Sequence, residues 1–238
     1  MAHTIRFDVF RYDREAGGEP RFQSYDVPTS TGLTVLGGLL HIQERLDGSL
    51  AFRYACRAAV CGSCAVHVNG SYRLACETQV ADLGDRVTIR PLAHLDVIKD
   101  LVVDMEPFWR KYRRIKPYLV PGTPPPAGHE RPQGPDDRAR IDGLVDCILC
   151  AACYAGCSVC GTDPDYLGPA ALAKLDRFLC DSRDGIPLER LGLAGGVHGV
   201  WRCHTIFRCQ EVCPKDVDPA GAIADLKMRS VRARLFGR

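Results

Sequence analysis

Apolar and polar residues alternate near the start of the chain. Thr4–Tyr12 carries an apolar side chain at nearly every second position, which is typical of a half-buried β-strand. The pair Gly17-Gly18 predicts a turn. We therefore expect Arg21–Val27 to form a second strand and to complete a hairpin with the first.

The pattern then changes to helical spacing. Apolar residues recur every three or four positions over Thr34–Leu46, which predicts a helix. The apolar run around Leu33–Ile42 is interrupted by two glycines and a histidine, and no run approaches the roughly 20 apolar residues that cross a bilayer. A membrane-spanning chain is therefore not expected.

A second hairpin follows the helix. Ala65–Val68 and Tyr72–Ala75 flank Asn69-Gly70, and Asn-Gly is the strongest short hairpin signal. Val87–Pro91 predicts a closing strand. Two hairpins, a crossing helix and a closing strand together predict a ferredoxin-like β-grasp domain.

Helical patterns dominate the rest of the chain. An amphipathic helix is predicted between His94 and Arg114, whereas Pro117–Pro135 holds seven prolines and three glycines and is expected to be a linker or wrapping loop. Further helices are predicted at Pro169–Asp181 and Pro219–Leu235, each with a proline near its first position. The apolar stripe of the amphipathic helix between His94 and Arg114 consists of Ile98, Leu101, Val102, Met105 and Trp109.

The predicted fold class is α+β, an N-terminal β-grasp ferredoxin-like domain followed by an all-α bacterial-ferredoxin-like domain. We predict a sheet domain over residues 1–95, a connecting helix and proline-rich loop over 96–137, and a helical domain over 138–238.

Composition adds one unusual feature, which is 13 cysteines among 238 residues. The formal charge of +2 gives no general basis for nucleic-acid binding, so no nucleic-acid partner is expected. The chain opens without an apolar leader and its cysteine count is odd, which favours a reducing compartment over a secreted disulfide scaffold. Grouped cysteines in a reducing compartment indicate metal or redox chemistry.

The first cysteine group is Cys56, Cys61, Cys64 and Cys76, with the x4–x2 spacing of plant-type [2Fe–2S] proteins. The small residues between its first three members allow the backbone to fold closely around iron and sulfide. Zinc is the alternative, but structural zinc sites usually combine paired knuckles of two to four intervening residues. The spacing therefore favours iron.

The second group is the bacterial ferredoxin run of Cys147, Cys150, Cys153 and Cys157, and in two-cluster ferredoxins the fourth cysteine of such a run ligates the other cluster. A degenerate repeat follows, with Ile206 where its second cysteine would stand. Exchange of the fourth ligands predicts two sites. The first is a [4Fe–4S] site of Cys147, Cys150, Cys153 and Cys213, and the second is a [3Fe–4S] site of Cys157, Cys203 and Cys209.

Two cysteines remain. Cys180 falls within an apolar helical pattern, which favours a structural thiol. Cys160 lies close to Cys157, and its ligation of the vacant corner would make the third cluster a [4Fe–4S] cluster. Three clusters in one chain indicate single-electron transfer. No nucleotide motif or nucleophile–base pair is evident, so substrate chemistry is expected on another subunit.

These groups, together with Gly168-Pro169-Ala170, the run Asp181–Asp184, Arg202-Cys203-His204 and Val212–Lys215, resemble the iron–sulfur subunits of succinate dehydrogenase and fumarate reductase over the whole length. The resemblance implies a flavoprotein partner carrying FAD and a membrane anchor, with or without haem b, that binds ubiquinone or menaquinone. It implies an oxidoreductase subunit of the respiratory chain and tricarboxylic acid cycle, peripheral on the cytoplasmic face of a prokaryotic cell membrane.

The resemblance also indicates candidate residues near the quinone, namely His204, Ile206 and Thr162. Two positions depart from the family's pattern. Ser158 stands where proline commonly follows the ligand, and Gly161 or Thr162 stands where many quinone-reducing members have tryptophan.

The expected function is electron transfer in a succinate:quinone oxidoreductase. The alternatives are a quinol:fumarate reductase subunit, an iron–sulfur subunit that serves another flavoprotein, and a zinc-stabilised binding module.

Overall fold

The structure is a computed structural model that describes residues 4–236. Two compact units divide the chain. One consists of Met1–Met105 and Ile148–Gly156, and the other consists of Glu106–Cys147 and Cys157–Arg238. The three residues at the start and the two at the end of these ranges lie outside the described part.

The first unit contains a five-stranded sheet of β1 (Thr4–Arg11), β2 (Arg21–Pro28), β3 (Ala65–Val68), β4 (Ser71–Leu74) and β5 (Arg86–Arg90). The strands lie in the order β2-β1-β5-β3-β4. β1 and β5 pair in parallel, and the other neighbouring strands pair antiparallel. Helix α1 (Val35–His41) follows the first hairpin and continues as a π-helical turn over Ile42–Leu46. The predicted β-grasp fold is confirmed.

The core of this unit lies where α1 crosses the sheet. Phe7, Val9, Val87 and Ile89 are fully buried on neighbouring strands. Gly38 of α1 lies directly against the Phe7 ring, because a Cβ at Gly38 would overlap the ring carbons. The glycine therefore sets how closely the helix approaches β1.

The predicted helix from His94 to Arg114 is wrong over its first half. That half forms a small antiparallel hairpin of β6 (Val97–Lys99) and β7 (Val102–Val103), and α2 spans only Glu106–Arg114. The cause is Asp100, which has a φ of 48° and is buried. Its carboxylate accepts hydrogen bonds from the Arg11 guanidinium (2.9 Å) and from the backbone N–H of Ala51 (2.9 Å), so tertiary pairing overrides the helical period.

The second unit is helical. Its long helices α7 (Pro169–Leu179) and α10 (Pro219–Phe236) pack on each other and on α8 (Pro187–Ala194), and both begin with proline as predicted. In the described chain, residues 115–134 contain no helix and no strand beyond one isolated bridge, as the prolines predict. The described residues also form the short helices α3 (Pro135–Ala139), α4 (Asp142–Val145), α5 (Ala152–Ala155, in the first unit), α6 (Ser158–Thr162) and α9 (Arg208–Glu211).

A buried arginine fastens the start of the proline-rich segment. Arg190 of α8 is fully buried, and its guanidinium forms two hydrogen bonds with the Asp184 carboxylate (2.9 and 2.6 Å). The same group donates to the carbonyls of Ile115, Lys116 and Tyr118 at 3.0, 3.0 and 2.9 Å. All five donors of one planar group are thereby used, which offsets the cost of burying its charge.

From residue 4 to residue 236, no helix is both long enough and apolar enough to cross a membrane.

Candidate metal centres

The first cysteine loop directs backbone N–H groups at its own sulfur atoms. The Cys56 sulfur accepts from the N–H groups of Ala58, Val60 and Cys61 at 3.4, 3.4 and 3.3 Å, and the Cys76 sulfur accepts from Ala59 at 3.3 Å. Such a concave arrangement of amides stabilises negative charge. It suits thiolates that carry an anionic cluster.

Positive φ angles produce this geometry. Arg57, Ala59 and Gly62 have φ values of 58°, 56° and 72°, so the chain reverses repeatedly within the loop. Only glycine adopts this conformation without strain, and strained backbone of this kind collects at functional sites. The short side chain of Ala59 was the sequence signal for a close backbone approach, but its left-handed conformation was not predictable.

The thiols of this group have unequal proton affinities. Hydrogen bonds from the Cys56 backbone N–H and the Ser63 hydroxyl lower the pKa of Cys61 to about 6. Burial, reinforced by the charges of Cys76 and Cys61, raises the pKa of Cys64 to about 12. A cation that binds all four sulfurs has to displace the proton from Cys64, as thiolate coordination requires.

Cys150 and Cys153 of the second group lie in the first unit, on the segment Ile148–Gly156. Leu149 and Ala151, on either side of Cys150, have φ values of 56° and 64°, and α5 begins directly afterwards. The Cys150 side chain is buried and that of Cys153 is half-buried. This loop therefore repeats the left-handed turns of the first cysteine loop.

Cys147 and Cys213, the other two predicted ligands of the [4Fe–4S] cluster, lie in the second unit. The Lys174 ammonium donates to the carbonyls of Leu144 and Val145 (both 3.2 Å) at the end of α4, just before Cys147. Burial lowers the pKa of Lys174, while the nearby Cys147 acts in the opposite direction. Lys174 thus lies beside the predicted ligand Cys147, and no local pattern in the sequence indicates this placement.

The third group converges around one buried tyrosine. Burial is the main cause of the raised pKa of Tyr166, and the negative charges of Cys203, Cys157, Cys160 and Cys209 act on it in the same direction. The sulfur atom of Cys203 accepts a hydrogen bond from the Thr205 N–H at 3.4 Å. The structure therefore brings the three predicted [3Fe–4S] ligands together.

Tyr166 could not be identified from the sequence because a single tyrosine after Asp165 carries no signal of its own. Asp163 could not be identified either, because its partners lie far along the chain. Its carboxylate accepts from the Arg202 guanidinium at 2.6 Å and lies 3.5 Å from His198 Nδ1. Because Arg202 directly precedes Cys203, this ion pair fixes the entry to the third cysteine group.

Cys160 interacts with the third group although it is not one of the three predicted ligands. It is buried in α6, and a hydrogen bond from its side chain is the largest contribution that lowers the pKa of Cys157 to about 6. The buried Lys111 ammonium also lies near Cys160, and burial lowers the pKa of that lysine. Cys160 therefore interacts with a predicted ligand through its thiol.

Cys180, in contrast, lies among charged groups at the end of α7. Its thiol donates to the Asp176 carboxylate (3.7 Å) and accepts from the Arg229 guanidinium (3.4 Å). Burial raises the pKa of Cys180 to about 11. The protonated thiol that results suits a structural role.

The candidate quinone-proximal residues are all exposed. His204 lies close enough to Cys157 for its charge to lower the pKa of that thiol. The Ile206 side chain is 60% exposed, next to the exposed ring of Phe207. The Thr162 hydroxyl donates to carbonyls of its own helix at 3.4 Å. Ile206 does not pack in the core, so burial is not the reason for an apolar residue there.

The donor sets fit iron–sulfur chemistry. Thiolates are the ligands of [2Fe–2S] and [4Fe–4S] clusters, and three thiolates with no fourth donor at Ile206 fit a cluster that lacks one iron corner. A β-grasp sheet with one such loop, followed along the chain by two further cysteine groups and the long helices, defines an iron–sulfur electron-transfer protein.

Comparison with known proteins identifies its family. A family described as "2Fe-2S iron-sulfur cluster binding domain" matches residues 6–110, and one described as "4Fe-4S dicluster domain" matches residues 143–217. The mitochondrial succinate dehydrogenase [ubiquinone] iron–sulfur subunit of Dictyostelium discoideum is 40% identical over 94% of this chain and 82% of its own length. The fumarate reductase iron–sulfur subunit of Mycobacterium tuberculosis is 41% identical over 96% and 93%.

A solved structure agrees with these relatives. A chain of the Mycobacterium smegmatis Sdh1 complex in the apo form superposes with a TM-score of 0.88 at 26% identity, over 99% of this chain and 98% of that chain. The protein therefore belongs to the family of succinate dehydrogenase and fumarate reductase iron–sulfur subunits, a class of oxidoreductase subunits. The predicted resemblance, fold class and iron–sulfur cofactors are confirmed, and the zinc-stabilised module is set aside.

Proposed function

We propose that this chain passes single electrons between a flavoprotein subunit and a membrane quinone, with eleven cysteines as ligands in sets of four, four and three. The set Cys56, Cys61, Cys64 and Cys76 would hold [2Fe–2S], the set Cys147, Cys150, Cys153 and Cys213 would hold [4Fe–4S], and the set Cys157, Cys203 and Cys209 would hold [3Fe–4S]. Such clusters accept and release one electron at a time. The domains would follow the predicted ranges 1–95, 96–137 and 138–238.

One observation carries the allocation. The three thiols of the third set all lie close enough to Tyr166 for their negative charges to raise its pKa, while position 206, which the repeat reserves for a fourth ligand, holds an isoleucine exposed to solvent. An aliphatic side chain cannot coordinate iron. The backbone amides of the first loop and the Thr205 N–H stabilise the negative charge on the sulfurs.

Exposed apolar side chains support contacts with two partner subunits. Val60, in the first cysteine loop, is 62% exposed, and in the second unit Ile206 and Phe207 stand exposed beside the third group. Apolar side chains exposed together mark interaction surfaces, and Ile206 and Phe207 form such a pair. We assign the loop that carries Val60 to the contact with a flavoprotein carrying FAD. The pair Ile206 and Phe207 is assigned to a membrane anchor that binds ubiquinone or menaquinone, with or without haem b, with His204, Ile206 and Thr162 nearest the quinone.

The proposed location is peripheral, on the cytoplasmic face of a prokaryotic cell membrane. Both directions of the reaction are represented among the relatives, since one is named for succinate dehydrogenase and another for fumarate reductase. Quinol-driven fumarate reduction is therefore the second candidate function.

The test is an anaerobic redox titration of the purified complex followed by electron paramagnetic resonance (EPR). We expect an isotropic [3Fe–4S] signal in the oxidised protein and a [2Fe–2S] signal after reduction by succinate. Cys209→Ala should abolish the first signal and leave the second, because it removes a ligand of the third set only. Cys180→Ala is the matched control and should leave both.

Two results would contradict the allocation. Survival of both signals in Cys209→Ala would show that the third set is wrong. A wild-type protein without an oxidised signal, but with a second [4Fe–4S] cluster on strong reduction, would place another ligand such as Cys160 at the vacant corner.

A further inference from the structure

Gly62 occupies a special place in the first cysteine loop. It directly follows the predicted ligand Cys61, and it is buried although Cys61 and Val60 before it are exposed. Its φ of +72° lies in the left-handed region. Something covers this glycine on the side where a side chain would project.

The covering group is the backbone beside Cys150. A Cβ built on Gly62 would lie 2.9 Å from the Cys150 Cα, 2.9 Å from the Cys150 Cβ and 2.9 Å from the Ile148 carbonyl oxygen. Two of these three atoms are backbone atoms, which cannot rotate away as the end of a flexible side chain can. The first cysteine loop therefore touches a predicted ligand of the second group with only the volume of a hydrogen between them.

The surroundings hold this contact in place. Both Gly62 and Cys150 belong to the same compact unit, in which α5 packs against β4. The chain has left-handed turns at Leu149 and Ala151, on either side of Cys150, so the loop that presents Cys150 has a defined shape.

We propose that Gly62 is a positioning residue for electron transfer, because its missing side chain lets the backbone at Cys150 seat directly on the first cysteine loop. The inference rests on the proposed ligand sets, which make Cys61 and Cys150 ligands of different clusters. The route between their sulfur atoms follows covalent bonds except for the one step across the Gly62–Cys150 contact. Electron tunnelling falls off steeply with each through-space gap, so the width of this contact controls the coupling.

The experiment compares two glycine substitutions in the assembled complex. Gly62→Ala adds a methyl group at the contact, and Gly84→Ala is the matched control. Gly84 lies in the same unit with a φ of +76°, and a Cβ there would meet no atom within 4 Å. Both variants therefore carry the backbone penalty of a left-handed alanine, and only the first widens the contact.

The measurement is EPR power saturation of the reduced [2Fe–2S] signal, before and after reduction of the [4Fe–4S] cluster. In the wild type and in Gly84→Ala, reduction of the second cluster should raise the half-saturation power, because the two spins couple through a dipolar interaction that falls with the cube of their distance. In Gly62→Ala this rise should be smaller than in the wild type and in Gly84→Ala, although both signals integrate to wild-type intensity.

Each of the other outcomes either supports the inference or overturns it. Loss of the [4Fe–4S] signal alone in Gly62→Ala would also support it, because the added methyl would then have displaced Cys150. A wild-type rise in half-saturation power in Gly62→Ala would overturn it. So would loss of the [2Fe–2S] signal, since the methyl would then disturb its own loop. Absence of the cluster signals from the wild type would instead refute the proposed function.

Discussion

At the scale of single residues, Asp176 of α7 is a carboxyl group with a strongly raised pKa. Its side chain is only 4% exposed, and burial together with the charge of Asp225 raises its pKa to about 7. Arg229 acts in the opposite direction, and the Cys180 thiol donates a hydrogen bond to the same carboxylate. The folded protein therefore holds a proton here that the unfolded chain releases near pH 4.

This extra bound proton determines the direction in which the free energy of unfolding changes with pH. Between about pH 4 and about pH 7 the folded state binds the extra proton, so the free energy of unfolding falls by up to about 1.4 kcal/mol per pH unit as the pH rises through that window. Asp176→Asn cannot ionise and lacks this fall. We expect its melting temperature to rise relative to the wild type from about pH 4 to about pH 7 and to stay constant relative to it at higher pH. The check is thermal unfolding of both complexes across this range.

The control for this prediction is Asp136→Asn, which removes an exposed carboxylate of α3. Its melting temperature should follow that of the wild type at every pH. Parallel curves for Asp176→Asn and the wild type would show that Asp176 is ionised throughout.

At the scale of elements, two adjacent glycines of α1 have opposite expected effects. A Cβ at Gly38 would overlap the Phe7 ring of β1, whereas a Cβ at Gly37 would meet the flexible end of Leu33 at 3.2 Å and the Thr34 hydroxyl at an ordinary 3.5 Å. Overpacking costs about 1–3 kcal/mol, and alanine in place of a helical glycine contributes about 0.5–1 kcal/mol of stability. We expect Gly38→Ala to destabilise the sheet unit by about 1–2 kcal/mol net, and Gly37→Ala to be neutral or stabilising.

The [2Fe–2S] chromophore reports on this unit. The urea concentration at which its visible circular dichroism disappears should be lower in Gly38→Ala and unchanged or higher in Gly37→Ala. Equal midpoints for the two variants would show that α1 moves to accommodate the methyl group.

At the scale of the whole molecule, the cysteine-bearing segments contrast with the sheet in what stabilises them. Helices α4, α5, α6 and α9 are four or five residues long. Isolated helices shorter than roughly 12–15 residues are marginal in water. We therefore expect these segments to depend on ligand bonds, whereas β1 and β5 are held by a buried apolar core.

Removal of iron should affect the cysteine-bearing segments and the strands of the sheet differently. After chelation under reducing conditions, we expect amide hydrogen exchange to accelerate in residues 142–162 and 203–213 and to stay slow in β1 and β5, because metal binding energy is folding energy for the former. Reconstitution with iron and sulfide is the control and should restore protection. Persistent protection of both cysteine segments in the apo chain would show that packing alone folds them.

The sequence by itself determined a large part of this protein. Period-two alternation and the Asn69-Gly70 turn were sufficient for the β-grasp sheet, because strand faces and tight turns depend on neighbouring residues. The spacing of the cysteines was sufficient for the cluster types, because a ligand loop has few workable lengths. Proline at the start of α7 and α10 marked those helices for the same local reason.

Only the tertiary structure decided the remaining features. The helical period over residues 94–105 gave way to a hairpin because Asp100 pairs with Arg11, a residue distant along the chain. The contact of Gly62 with Cys150 and the placement of Tyr166 among the thiols also join residues that are far apart in sequence. Such contacts depend on the packing of the folded chain, and no local pattern of residues encodes them.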